Sequence, residues 1–96
     1  MKYYKINPNS DFAETPVKEE ARIIHHLHLE KGKDVSEHSA DALVTVICLS
    51  GDVDFTAEGE QVRLVSGSFL TMKPNELHKL FANEESHLLV IKQLKY

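Results

Sequence analysis

From residue 23 onward the chain alternates apolar and polar positions with a period of two, interrupted at short intervals by Gly, Pro, Asn and Asp. The first such segment is Ile23 to Glu30, IIHHLHLE, with Ile23, His25, Leu27 and Leu29 on one face and Ile24, His26, His28 and Glu30 on the other. The first face is the more apolar and is expected to point inward, which carries His25 toward the interior and leaves His26 and His28 toward solvent. Ala42 to Leu49, ALVTVICL, is the most apolar run of the chain. Val44, Val46 and Cys48 share one face; Leu43, Ile47 and Leu49 share the other, with Thr45 among them. A strand apolar on both faces needs cover on both sides. One small barrel covers one of them, and a second copy of the chain is the simplest cover for the other.

Further strands are expected at Val53 to Ala57, Gln61 to Val65, Phe69 to Met72, Leu77 to Ala82 and Leu88 to Leu94. Between them lie the turns Ser50-Gly51-Asp52, Glu58-Gly59-Glu60, Ser66-Gly67 and Asn83 to Ser86. No segment after residue 22 keeps a helical period, and turn signals recur about every 8–12 residues, the signature of an all-β sandwich or barrel. Before residue 22 the pattern is weaker. Lys2 to Ile6 is compatible with a short edge strand, Pro16 blocks any helix running through it, and Val17 to Arg22 fits either a helical turn or an edge strand. The expectation is one domain, a short N-terminal arm over residues 1–20 and a barrel over about 21–96.

Size and charge narrow the class. Ninety-six residues make one domain, and 11 Lys and Arg against 15 Asp and Glu argue against a nucleic-acid backbone or an anionic membrane as partner. The single cysteine, Cys48, forms no internal disulfide. Its apolar strand, with no basic neighbour in sequence, reads as core rather than nucleophile. The opening MKYYKINPNS lacks the apolar core and cleavage site of a secretory signal. No apolar run approaches the roughly 20 residues of a membrane helix, and the expected setting is cytoplasmic. Neither a Ser-His-Asp or Cys-His arrangement nor a phosphate-binding glycine loop is readable, so no catalytic residue is assigned.

Two stretches carry a family resemblance. Gly32, five residues and His38, followed by a long apolar strand ending at Gly51, resembles the first motif of the cupin family. Ser66 to His78, SGSFLTMKPNELH, is similar to the second: the register from Gly67 to His78 is kept, Lys73 takes the family's Pro position with Pro74 next to it, and Asn75 takes a Gly position. Asn tolerates left-handed backbone better than other residues with a side chain. The resemblance spans Gly32 to about Ala82 and implies a cupin-type double-stranded β-helix, or jelly roll, of the RmlC-like kind. In metal-binding cupins the first motif supplies His, His and Glu and the second a further His. Here His38 and His78 match, whereas Ala40 and Val44 stand at the other two positions.

Two imidazoles fall short of the three or four groups that hold a transition metal. A third would come from His25, or from His28 if the strand parity were reversed. Otherwise His38 is an exposed loop residue, His78 a turn residue bonded to backbone, and His87, beside Glu84 and Glu85, a surface residue. The resemblance implies a small cupin that binds a small apolar or carboxylate-bearing molecule in a pocket of Val44, Val46, Cys48, Phe69 and His78. The alternative is a dioxygenase or isomerase using Zn, Fe, Mn or Ni on His38, His78 and a third ligand. A ligand-sensing or interaction module is a further reading, but no helix-turn-helix or basic stretch supports contact with DNA.

Overall fold

The computed structural model describes residues 1–96. Nine strands and no helix make two antiparallel sheets facing each other. The larger sheet holds β1 (Ala13–Lys18), β2 (Arg22–Leu29), β9 (Ser86–Gln93), β4 (Leu43–Ser50) and β7 (Phe69–Met72), in that spatial order. The smaller holds β3 (Asp34–His38), β8 (His78–Ala82), β5 (Asp52–Ala57) and β6 (Glu60–Val65). The chain passes repeatedly from one sheet to the other, the topology of a jelly roll. No helix is present that is long and apolar enough to cross a membrane.

The expected strands from residue 23 onward all form, with ends that move by one or two residues. The alternation explains which face is inside. Val44, Val46 and Cys48 of β4 meet Leu29 of β2, Leu88 of β9 and Met72 of β7, and all of them pack on Val53, Phe55, Leu64, Leu80 and Ala82 of the smaller sheet. Burying one such Val, Leu or Phe side chain is worth about 1.5–3 kcal/mol, so this double layer is the main source of stability. On the outer face of the larger sheet Leu43, Leu49 and Phe69 are exposed. Phe69 pairs in register with Ile47, and Ile47 in turn with Leu89, making an apolar row across three strands.

The N-terminal region departs from expectation. Lys2 to Ile6 forms no strand; the edge strand of the larger sheet is Ala13–Lys18, paired to β2. Pro16 sits in that strand where the register shifts between Glu14 and Val17. An edge position and a bulge together make the missing N–H harmless.

Two backbone positions fix corners. Asn75 has φ of 67°, the left-handed conformation anticipated from its place in the motif, and its N–H donates to the Ala40 carbonyl at 2.8 Å. This bond ties the second motif to the first. Gly51 has φ of 106°, and a Cβ there would lie 2.1 Å from Ser86 Oγ and 2.6 Å from the Glu85 carbonyl oxygen. Ser86 cannot yield, since its hydroxyl accepts from the Asp52 N–H and donates to the Glu84 carbonyl. Gly51→Ala should therefore lose about 2 kcal/mol or more, read as a fall in melting temperature on the order of 10 °C; an unchanged melting temperature would contradict the packing of this corner.

Candidate functional site

Between the two sheets lies a cavity of about 360 Å³, within the range of small-molecule sites. Its walls are mostly apolar. Val44 and Val46 come from β4, Val90 from β9, Leu27 from β2, and Phe55, Leu80 and Val35 from the smaller sheet. Phe12 of the N-terminal arm completes the wall; its carbonyl accepts from the His28 N–H at 2.9 Å, and the Lys33 ammonium sits 4.8 Å from its ring centre.

All four motif positions, His38, Ala40, Val44 and His78, line this one cavity. His38 and His78 are paired across β3 and β8, with ring centres 4.1 Å apart and planes inclined by 60°. Each ring is fixed by its own backbone. His38 Nδ1 donates to the Ser36 carbonyl and His78 Nδ1 to the Glu76 carbonyl, both at 2.9 Å. A carbonyl only accepts, so the proton of each neutral ring lies on Nδ1 and the Nε2 lone pair is left free. The His78 ring also stacks on Phe55, 5.6 Å between centres and 10° between planes. Burial, opposed by the Glu76 carbonyl bond and aided by His38 and Lys92, pushes His78 below the ordinary histidine pKa.

His25 faces the same cavity, as the strand parity required, and its Nδ1 is hydrogen-bonded to Thr15 Oγ1 at 2.9 Å. Burial and then the Lys92 charge push its pKa down. Nowhere in the chain do three His, Cys, Asp or Glu side chains come together in a way that could hold a metal ion. His25 therefore shares the cavity with His38 and His78 without completing a ligand set.

Two expected pocket residues lie elsewhere. Phe69 is 67% exposed: its pairing with Ile47 puts it on the outer face, and the inward positions of β7 are Leu70 and Met72. Cys48 is fully buried but packs in the closed core, where its thiol donates to the Ser50 carbonyl. Lys92, by contrast, was missed. It lines the cavity from β9, and the signal was available, because alternation from buried Leu88 through Val90 places Lys92 on the inward parity.

The opposite face of β2 also differs from expectation. His26 and His28 do point away from the cavity, yet His26 is fully buried and His28 largely so. His26 Nδ1 donates to Glu14 at 2.9 Å, and its Nε2 meets His87 Nδ1 at 2.9 Å. His87 is half-buried, stacked on His28 with 4.5 Å between ring centres. His28 donates from Nε2 to Glu85 and from Nδ1 to the Ser10 carbonyl. With an acceptor at each ring nitrogen the cationic form of His28 is favoured, and its pKa is raised by Glu85 first and the Ser10 carbonyl second. His87 is pushed down by burial and then by the neighbouring His28 and His26. Strand alternation names the face of each residue; it does not show that the N-terminal arm covers that face.

These shifts have opposite consequences for stability. A depressed histidine, such as His25, His78 or His87, favours protonation of the unfolded chain, so stability is full above about pH 6.5 and falls as pH drops below it. His28 contributes stability below about pH 6.5 that is lost as pH rises through its raised folded value. Histidine-resolved NMR titration should show His28 gaining its proton first on acidification, with His25, His78 and His87 following. His78→Gln should reduce the loss of melting temperature between neutral and mildly acidic pH. His78 titrating before His28 would contradict the described burial.

Comparison with known proteins agrees with this architecture. A model of the AraC-like ligand binding domain matches residues 23–91. An RmlC-like cupin from Desulfovibrio desulfuricans superposes with a TM-score of 0.86 at 17% identity, covering 98% of this chain and 97% of that one. A conserved protein of unknown function from Streptococcus pyogenes gives 0.84 at 22% identity, with 100% and 92% covered. An RmlC-like cupin with a double-stranded β-helix fold from Methanocaldococcus jannaschii gives 0.78 at 21%, with 97% and 90% covered. At such identities the likeness is one of fold. No protein of curated function matches the sequence. The match over residues 23–91, together with the two facing sheets and the cavity between them, places this chain in the family of AraC-like ligand-binding domains, with a cupin fold.

Proposed function

We propose that the chain is a small-molecule-binding cupin whose ligand occupies the cavity between the sheets. One observation carries this reading: Ala40 and Val44 stand on the cavity wall together with His38 and His78. Two of the four positions that hold a metal in metal-binding cupins are thus hydrocarbon, and they face the same space as the two that remain. Apolar groups at those positions make the space poor for a cation and favourable for an organic body.

A resident metal does not fit this donor set. Two rings with free Nε2 lone pairs line the cavity, and no third His, Cys, Asp or Glu joins them in a group that could hold a metal. The orientation of the two rings is the one observation that favours the alternative, a metal-dependent dioxygenase or isomerase, since carbonyl-bound Nδ1 is also the arrangement that presents Nε2 to a metal.

Thermal-shift measurements with a panel of small aliphatic and aromatic acids, amides and alcohols should raise the melting temperature of the metal-free protein. Ala40→Phe, which places a ring in the cavity, should abolish that rise. Stoichiometric Zn, Fe, Mn or Ni retained by untagged protein after dialysis, and lost in His78→Ala, would overturn this reading in favour of the alternative.

The reading extends to a homodimer, supported by the row Phe69, Ile47 and Leu89 on the outer face of the larger sheet. Light scattering should give twice the chain mass for the native protein and a single chain mass for Phe69→Lys combined with Ile47→Lys. A native monomer would contradict the extension without touching the cavity.

A further inference from the structure

Among the titratable side chains on the cavity wall are His25, His38, His78 and Lys92; no Asp or Glu lines it. Lys92 takes part in none of the ion pairs or side-chain hydrogen bonds of the chain, although it is only half exposed and its neighbours across the sheet are Ile23 and Val44. An ammonium in such a place, with apolar wall around it and no counter-charge, is an interaction waiting for an anion. The charges left on the wall set the number of charges on that anion. His25 and His78 are both pushed toward the neutral form by burial, with Lys92 adding to the effect. With the imidazoles in their neutral form, the Lys92 ammonium is the one positive charge on the wall, and it matches one negative charge.

The histidines also orient the ligand. Because His38 and His78 give their Nδ1 protons to backbone carbonyls, the Nε2 atoms they turn elsewhere are acceptors. An acceptor repels a carboxylate, so the charged end is excluded from that pair and directed to Lys92.

We propose that the ligand is a small monocarboxylate, with its hydrocarbon body among Val44, Val46, Val90 and Phe55 and its carboxylate on the Lys92 ammonium. The inference rests on the cavity being the ligand site, and the experiment separates the two. Calorimetric titration of the intact protein compares octanoate and phenylacetate with their primary amides, which keep the shape and remove the charge. The carboxylates should bind about tenfold or more tightly than the amides. Lys92→Met should bring the two to equal, weak affinity, while Lys92→Arg should keep the preference. Equal binding of acid and amide by the native protein overturns the monocarboxylate and leaves the cavity reading standing. A preference for the acid that survives Lys92→Met overturns the role of Lys92. Failure of every acid and amide to bind overturns both.

Discussion

Strand β4 is the constraint on which the rest of the structure depends. Its inward side chains serve two purposes along eight residues. At one end Cys48 closes the core against its paired neighbour Leu88, and toward the other Val46 and Val44 leave a gap between the sheets that no side chain fills. A strand that were polar at Val44 or Val46 would place its polar groups in that gap, and the gap would then hold water or an ion. With valine there the wall is apolar, and the chemistry of the cavity is set by what stands around it: two imidazoles with free lone pairs, a third held by Thr15, and one unpaired ammonium.

The six histidines of this chain show how position rather than residue type decides chemistry. Adjacent residues His25 and His26 point to opposite faces of one strand. His25 meets the cavity and is pushed toward neutrality; His26 enters a bonded array with Glu14 and His87 beneath the N-terminal arm. His28, two residues beyond His26, lies between Glu85 and the Ser10 carbonyl, two acceptors that favour its protonated form. The array ties residues 7–14 to the sheet, and the same arm supplies Phe12 to the cavity wall. Cavity and array are thus joined through the arm without sharing a titrating group.

Much of the fold was legible in the sequence because period-two alternation and turn residues act locally. The strands from Ile23 onward other than β3, and the inward face of β4, follow from that alternation, whereas the left-handed Asn75 and the grouping of positions 38, 40, 44 and 78 follow from the resemblance to the two cupin motifs. What escaped depended on contacts distant in sequence. Phe69 was misplaced because its face is set by pairing with Ile47, and Cys48 because depth along a strand decides between core and cavity. His26 and His87, separated by 61 residues, meet only once β2 and β9 pair. Lys92 was overlooked although its parity was readable, since a lone lysine near a strand end is most often a solvated one.

The central claim, that the cavity between the sheets receives a small organic molecule, is tested most directly by methyl NMR of the protein titrated with phenylacetamide, a neutral probe of the cavity itself. The account predicts that the methyl signals of Val44, Val46, Val90 and Leu27 move in a saturable way while those of Leu43, Leu49 and Val62 stay in place. Movement confined to the outer residues, with the four cavity methyls unchanged at saturation, would contradict it.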